Sequence, residues 1–320
     1  PRLRTPFIGG TQLRLALAAL MVGHHIMLEG PKGSGKNTLA ETCAFILGAP
    51  LSEVQGHRHM DADSLIGHEV FKSHVRDVQD FVEMYDELKN QGLPSEVISA
   101  VLAASGRKDE VTFLHGTVLI GARDGHFVVI DEANTIPPEA LIVTHSLRDD
   151  RRRIEIPGYG VVQAHPRFRM ILTLNYGYAG TSEMNQATAD GFVPIHVPPM
   201  SEDSMALLLM RKYHKHNLDE DKALLVAGLF KDILSKSGAD GSAAQISDRA
   251  VSVRAIFQAL DLILMGISPQ EAFLTCYVNR TPDEFEQNVL RDVICTRIRS
   301  DWTREDFFKD VDDDGIEEIE

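Results

Sequence analysis

The feature that most constrains the fold is a glycine-rich stretch between an apolar run and a helical pattern. The apolar run is His25–Leu28, and Gly-Pro-Lys-Gly-Ser-Gly-Lys follows at 30–36. A strand, loop and helix start of this kind lets consecutive backbone N–H groups surround an anion, and the helix adds its positive N-terminal end. The stretch therefore predicts a phosphate-binding loop made of Gly30, Pro31, Lys32, Gly33, Ser34, Gly35, Lys36, Asn37 and Thr38.

A second segment, about a hundred residues further on, carries two carboxylates. Four apolar residues, Phe127–Ile130, are followed directly by Asp131 and Glu132. Such a run predicts a buried parallel strand whose C-terminal end faces the same edge of the sheet as the phosphate loop. Two adjacent carboxylates at that place are costly to bury without a cation. The two segments together predict a site for a nucleoside triphosphate with Mg²⁺.

The chemistry of such a site assigns roles to particular side chains. Lys36 supplies positive charge at the outer phosphates, and Asp131 is placed to hold Mg²⁺. Glu132 is the candidate general base that polarises the attacking water. We therefore predict a nucleoside-triphosphate hydrolase with these residues at its centre.

Composition bounds the other possibilities. The chain has 320 residues, 43% of them hydrophobic, and a formal net charge of −15. That acidic balance argues against a general nucleic-acid binder, because phosphate-backbone affinity needs clustered Lys and Arg. No stretch approaches the roughly 18 consecutive apolar residues of a membrane span. Cys43, Cys276 and Cys295 lack metal-type spacing, which favours a reducing compartment, the cytoplasm.

The order of elements predicts two domains. Strand patterns occur at 25–28, 51–55, 127–130, 169–174 and 193–197, and they alternate with helical patterns. This alternation predicts an α/β fold whose parallel sheet has helices on both faces. The Pro198-Pro199 pair then marks the boundary between an α/β nucleotide-binding domain (1–199) and a smaller all-α lid (200–300), followed by a flexible acidic tail (301–320).

Helical patterns fill the second half and one insert. After Ser201 they cover roughly 202–216, 220–236, 248–265 and 269–298, the last broken near Pro282. Two further helical stretches at about 75–107 interrupt the α/β order. They predict an insert that is either a plain surface hairpin of helices or a partner-facing element.

Two residues outside the loop and the acidic strand complete the candidate site. Asn175 ends the strand pattern 169–174, where its amide can bridge the lytic water and the terminal phosphate. Asn is also a common turn residue, so both interpretations stay open. Arg254 begins a long apolar helix, and it either faces water or reaches the nucleotide from the lid.

These motifs, in this order, resemble those of an AAA+ ATPase, a P-loop NTPase fold. The segments Gln55…Asp63–Gly67, His115-Gly116, 175–181 and Met184–Ala187 resemble more narrowly the MoxR and dynein-related (midasin-like) branch. The resemblance covers roughly residues 10–300. It implies that Asn175 is sensor 1, that Arg254 is sensor 2 and that 153–162 forms the hairpin before sensor 1. It also implies a homo-oligomeric ring, usually a hexamer, that remodels a protein client, often one with a von Willebrand A domain.

The chain departs from this family pattern at two positions. Asn37 stands directly after the lysine, where Ser or Thr supplies a hydroxyl to Mg²⁺; an amide oxygen can also ligate a hard cation, so Asn37 is a candidate ligand. Gly191 stands where the family has an arginine that acts on the neighbouring subunit's site. Substitutes can come from the run 148–153, with Arg151 and Arg152 as candidates. The other interpretation is a salt-bridged basic stretch.

Two alternative functions follow from these departures and from the charge. One is a nucleotide-gated scaffold or switch with little turnover, favoured by Asn37 and Gly191. The other is the ATPase subunit of a nucleic-acid-linked defence or restriction complex, against which the acidic charge counts. The chain opens at Pro1 without a methionine, which agrees with a fragment of a longer protein.

Overall fold

The strands and their bounds come from a computed structural model. It describes residues 5–75, 78–104, 107–175, 184–237, 245–247 and 250–309, so most of the motif 175–181 and the tail from 310 onward lie outside the described residues. The strands are β1 Ile26–Glu29, β2 Leu51–Gln55, β3 Gly67–Val75, β4 Arg107–His115, β5 Phe127–Asp131, β6 Arg153–Ile156, β7 Gly160–Gln163, β8 Arg169–Leu174 and β9 Val193–His196.

The α-helices fall into a group that flanks the strands and a group that follows them. The first group is α1 Gly10–Val22, α2 Lys36–Ile46, α3 Ala62–Ile66, α4 Val78–Asn90, α5 Ser95–Ala104, α6 Thr117–Asp124, α7 Pro138–Ile142, α8 His145–Arg148 and α9 Gln186–Ala189. The second group is α10 Glu202–Lys212, α11 Glu220–Lys236, α12 Val253–Leu264, α13 Pro269–Val278, α14 Glu284–Arg297 and α15 Arg304–Phe307.

The five strands predicted from sequence form one parallel sheet in the order β2-β5-β8-β1-β9. Ile26 of β1 pairs with Ile171 of β8 on one side and with Val193 of β9 on the other. Each predicted strand agrees with its observed bounds to within one residue. The α/β prediction is therefore confirmed.

Both faces of this sheet are covered by helices, and β5 shows how. Its alternate side chains Phe127 and Val129 pack with α1 and α2 residues such as Leu20 and Leu39. Val128 and the rest of the opposite set pack with α3 and α6. Successive side chains of a strand point to opposite faces. A strand that is apolar throughout is therefore buried on both sides, which the run 127–130 predicts.

The insert predicted at 75–107 contains its two helices, α4 and α5. A two-stranded ribbon, which the sequence did not predict, connects them to the rest of the fold. Strands β3 and β4 pair antiparallel over their whole length, from Gly67 opposite His115 to Val75 opposite Arg107. The two strands mix polar and apolar residues, so the sequence shows no strong apolar pattern there. The two strands also lie on either side of the entire helical insert, so their pairing cannot be predicted from neighbouring residues in the sequence.

The hairpin expected at 153–162 is present as β6 and β7, and its tip contacts the ribbon. The Tyr159 ring lies 4.8 Å from the Phe113 ring and 4.9 Å from the His115 ring, measured between centroids. Tyr159 keeps 39% of its surface exposed. The hairpin and the β3–β4 ribbon therefore form one exposed aromatic corner.

Among the described residues after Val197, helices are the only regular elements besides a β-bridge between Leu218 and Phe308. Their core is separate from the two cores of the sheet and is built by α10 to α15. Ser201 caps α10 by accepting a hydrogen bond from the Ser204 N–H. The break predicted near Pro282 is confirmed between α13 and α14. The third helix begins at Val253, later than the predicted 248.

Candidate functional site

The candidate residues lie at the C-terminal edge of three neighbouring strands. The sheet order places β8 between β5 and β1. The glycine-rich loop follows β1, Asn175 follows β8, and Asp131 ends β5. Parallel strands present their carboxyl ends at one edge, where ligands bind in such sheets. The structure therefore brings together the segments that the sequence predicted to meet.

The glycine-rich loop wraps around the Lys36 side chain. Gly35 precedes α2 with φ +87°, a left-handed conformation that glycine adopts without steric cost. The Lys36 ammonium donates to the carbonyl oxygens of Gly30 and Pro31, both at 2.8 Å, and to Asn175 Oδ1 at 2.7 Å. Three acceptors fix all three of its protons.

Burial changes the charge behaviour of Lys36. Only 6% of the residue is exposed. Burial lowers the pKa of Lys36 to about 8, although the nearby Asp131 and Glu132 carboxylates act in the opposite direction. The lysine stays protonated at neutral pH but loses its charge within the mildly alkaline range.

The Asp131 carboxylate is held by three protein donors. Oδ1 accepts from the Thr173 hydroxyl and, at 3.1 Å, from the Glu132 N–H. Oδ2 accepts from Asn37 Nδ2 at 2.8 Å. Sequence reasoning missed Thr173. The sequence held one indication of its role: Thr173 is a polar residue in an otherwise apolar strand, β8, which neighbours β5.

Glu132 has an unusual backbone that turns its side chain toward the cavity. Its φ of 51° lies in the left-handed region, which costs a non-glycine residue about 1–2 kcal/mol. Its N–H donates to Thr173 Oγ1 at 3.1 Å, and Asn175 Nδ2 lies 3.5 Å from Glu132 Oε1. Strain of this kind clusters at functional sites because the surroundings enforce it.

Asn134 is a buried partner of Asn175 that sequence reasoning also missed. Its Nδ2 donates to the Asn175 carbonyl oxygen at 2.8 Å, and only 2% of the residue is exposed. The polar residue following the Asp-Glu pair was a weak signal, since turns after strands commonly contain Asn. Asn134 thus fixes the backbone from which the Asn175 side chain reaches Lys36 and Glu132.

These groups line a cavity of about 280 Å³ between the sheet edge and the helical region. Its lining includes Lys32, Gly33, Gly35, Lys36, Asn37, Thr38, Asp131, Glu132, Asn175, Met200, Leu208, Val253, Arg254 and Phe257. Arg254, in the first turn of α12, therefore faces the cavity. Of the two interpretations left open by the sequence, this position supports the one toward the site.

A second cavity of about 200 Å³ continues the first and is more apolar. Phe7 and Ile8 form one wall, and Met200, Leu208 and Phe257 form the other. Thr42 Oγ1 accepts a hydrogen bond from the Phe7 N–H at 2.9 Å and so anchors the N-terminal segment to α2. Its mainly apolar lining suits an apolar group.

Arg151 and Arg152 do not line either cavity. Arg151 is exposed and pairs with Asp149 at 2.6 Å. Arg152 has φ 48° and donates to the carbonyl oxygens of His165 and Phe168. Their predicted role toward a neighbouring subunit stays a prediction.

The loop, the acidic strand and the sheet order together define a P-loop nucleotide-binding domain with a helical region after it. A family model, the AAA domain of the dynein-related subfamily, matches residues 25–192. The chain belongs to this family. AAA proteins as a class bind ATP, typically with Mg²⁺, and commonly assemble as rings.

The chain is also similar to two bacterial proteins and to a solved structure. An uncharacterized protein from a bovine strain of Staphylococcus aureus is 30% identical over 280 residues, covering 87% of this chain and 92% of that protein. Its counterpart in a second S. aureus strain is 29% identical over the same length. A RuvB mutant from Thermotoga maritima aligns with a TM-score of 0.47 at 16% identity, covering 88% of this chain and 73% of that one.

Within the part of the chain that the structure describes, no helix is both long and apolar enough to traverse a lipid bilayer.

Proposed function

We propose that this chain is an ATP-hydrolysing AAA protein of the MoxR-like branch that works in the cytoplasm as a homo-oligomeric ring, expected to be a hexamer, and remodels a protein client. The client class suggested by the family resemblance is a protein with a von Willebrand A domain. One observation carries the proposal: Lys36, Asp131, Glu132 and Asn175 share a single cavity at the C-terminal edge of the sheet. The division at 1–199 and 200–300, with an acidic tail at 301–320, belongs to the same proposal.

In this proposal the phosphates lie along the loop, and Lys36 exchanges carbonyl oxygens for phosphate oxygens. Its three present acceptors keep the ammonium at the place where a phosphate would accept from it. Backbone N–H groups of the loop and the N-terminus of α2 add further donors. Arg254 extends from the helical region over the same cavity, so it would sense the outer phosphate.

The hydrolytic step needs a base beside an oriented water. Glu132 is the base, since its carboxylate faces the cavity. Asn175 lies between Lys36 and Glu132 and contacts both, which suits a residue that positions the water relative to the terminal phosphate. Most of the expected rate gain in such enzymes comes from positioning and electrostatics.

A divalent cation would supply charge neutralisation at the phosphates. The Asp131 carboxylate fits such an ion, since it is a hard oxygen ligand that lines the cavity. Asn37 fits less well, because Nδ2, which has no lone pair to offer, faces Asp131. Asn37 as a metal ligand would have to use Oδ1, on the other branch of the amide.

The apolar cavity is the proposed base site. Phe7 and Phe257 line it, and so does Gly35 of the phosphate loop. Aromatic and aliphatic walls of this type bury most of a planar ligand. The sequence offered no way to place this site.

A nucleotide-gated switch with little turnover is the second candidate. The hydrogen bond from Asn37 to Asp131 favours it, because that bond occupies the carboxylate that would otherwise serve the cation. The two candidates share nucleotide binding and differ in hydrolysis.

The deciding experiment is steady-state phosphate release from the purified chain, with Glu132→Gln and Lys36→Ala as controls. For the ATPase we expect Glu132→Gln to lower turnover by about 10²- to 10⁴-fold while binding persists. We expect Lys36→Ala to abolish binding and leave the far-UV circular dichroism unchanged. Wild-type turnover equal to that of Glu132→Gln would favour the switch. Retained nucleotide affinity in Lys36→Ala would show that the phosphate site lies outside this loop.

A further inference from the structure

The amide of Asn37 has a defined orientation. An ionised carboxylate only accepts hydrogen bonds, so the atom of Asn37 that lies 2.8 Å from Asp131 Oδ2 has to be the donor Nδ2. Asn37 is exposed in the first turn of α2, so no packing forces this rotamer. The hydrogen bond itself holds the side chain across the mouth of the site.

Asp131 has little remaining capacity to accept. A carboxylate offers roughly four acceptor positions. Thr173 and Glu132 occupy Oδ1, and Asn37 occupies Oδ2, so three positions are already filled by the protein. A hydroxyl in place of Asn37 would donate one proton to Asp131 and still present lone pairs to a cation. The amide nitrogen presents none.

Asn37 Nδ2 has a second proton besides the one that it donates to Asp131. An NH₂ group carries two donors. One is used by Asp131, and within the described part of the chain the other has no acceptor. Asn37 also lines the cavity beside Lys36 and Thr38, where the phosphates are proposed to lie. A neutral amide in this position can bridge a carboxylate and a phosphate oxygen.

We infer that Asn37 takes over part of the bridging role of the divalent cation, so that this chain binds metal-free nucleoside triphosphate almost as tightly as the Mg²⁺ complex. The inference rests on the proposed nucleotide site. Without Asn37, the Asp131 charge would repel the phosphates unless a cation lay between them. With Asn37, the carboxylate is shielded by a donor that itself attracts the phosphates.

The test is equilibrium binding of a non-hydrolysable ATP analogue, measured by titration calorimetry in excess Mg²⁺ and in excess EDTA. For the wild-type chain we expect the two dissociation constants to agree within about threefold, since the amide supplies the bridge in both conditions. For Asn37→Thr and Asn37→Ser, each of which restores a hydroxyl, we expect EDTA to weaken binding by about tenfold or more. Asn37 is exposed, so both variants are expected to keep the fold.

The outcomes separate this inference from the proposed function. Equal weakening by EDTA in the wild type and in Asn37→Thr would overturn the role of Asn37 and leave the nucleotide site standing. An equally small effect of EDTA in all three proteins would also overturn it, because metal tolerance would then have another source. Binding no better than that of Lys36→Ala, with and without Mg²⁺, would overturn the nucleotide site and this inference together.

Discussion

The Arg148 guanidinium occupies the space that a side chain on Gly191 would need. A Cβ built on Gly191 would overlap Arg148 Nη1, so a larger residue there requires the end of the Arg148 side chain to shift. Arg148 also lies 4.4 Å over the Phe192 ring and donates to the Thr188 carbonyl oxygen at 3.3 Å. Gly191 is exposed, and the half-buried Arg148 lies beside it, next to the position where the family pattern has its arginine. This relationship suggests Arg148, rather than its neighbours Arg151 and Arg152, as the substitute.

If Arg148 acts on a neighbouring subunit's nucleotide, Arg148→Ala is expected to lower turnover by about 10³-fold or more and to leave nucleotide affinity nearly unchanged. Mixing this variant with Lys36→Ala should restore part of the activity. In mixed rings, Arg148 of one chain meets the intact site of the other. Phosphate release that stays absent in the mixture would contradict the role between subunits.

Gly191→Ala provides an independent check, because it displaces Arg148 without removing it. Its added methyl group should lower turnover as Arg148→Ala does. Gly10→Ala is the matched control, since a Cβ on Gly10 meets no atom within 4 Å. Equal turnover in the two glycine variants would show that the position of Arg148 is unimportant.

Nucleotide affinity should fall as the pH rises through about 8. Burial lowers the pKa of Lys36 to about 8, and the polyphosphate binds the protonated form. Affinity is therefore expected to be flat below that pH and to drop by up to about tenfold per unit above it. Calorimetric titrations between pH 7 and 9.5 would measure this. Lys36→Arg should bind more weakly but without the slope, because arginine keeps its charge.

Thr173→Val should impair hydrolysis more than binding. The variant keeps the shape of a fully buried residue but removes the hydroxyl that donates to Asp131 and accepts from Glu132. Losing one such bond costs about 1–3 kcal/mol and frees the strained Glu132 backbone. Thr144→Val is the control, since that buried hydroxyl donates to the Leu141 carbonyl oxygen and, among the described residues, to no group of the site. Equal phosphate release in both variants would contradict a positioning role for Thr173.

Stability should fall on acidification because His25 is buried in its neutral form. Its Nδ1 accepts from the Met170 N–H at 2.8 Å, and burial, aided by Arg148 and other nearby arginines, lowers the pKa of His25 to about 3. The unfolded chain gains the proton near pH 6.5, so the native state loses on the order of 1.4 kcal/mol per unit between pH 6.5 and 3.

Urea unfolding at several pH values would measure this effect. His25→Asn keeps an acceptor near the Nδ1 position and does not titrate, so its stability should depend less steeply on pH. Identical slopes in the variant and the wild type would assign the acid sensitivity to other groups.

The sequence predicts the central sheet well for a physical reason. Strands such as β5 and β8 are buried on both faces and therefore read as unbroken apolar runs. The loop at 30–38 and the carboxylates at 131–132 were recognisable because their chemistry requires particular residue types at particular places. The convergence of these segments then follows from the common edge of parallel strands.

The rest depends on contacts between distant segments. The β3–β4 ribbon pairs residues across the whole helical insert, and Thr173 matters only because β8 lies beside β5. Local sequence carries no record of either pairing. Local sequence also does not reveal the contact between Arg148 and Gly191, because the two residues are 43 positions apart in the chain.

The two connected cavities draw their walls from hydrophobic cores that share no member. Phe7 packs on a core of the sheet, whereas Phe257 and Met200 pack on the core of the later helices. Any molecule lodged there touches both halves at once. Binding or release of such a molecule would therefore be coupled to the relative position of the sheet and the later helices.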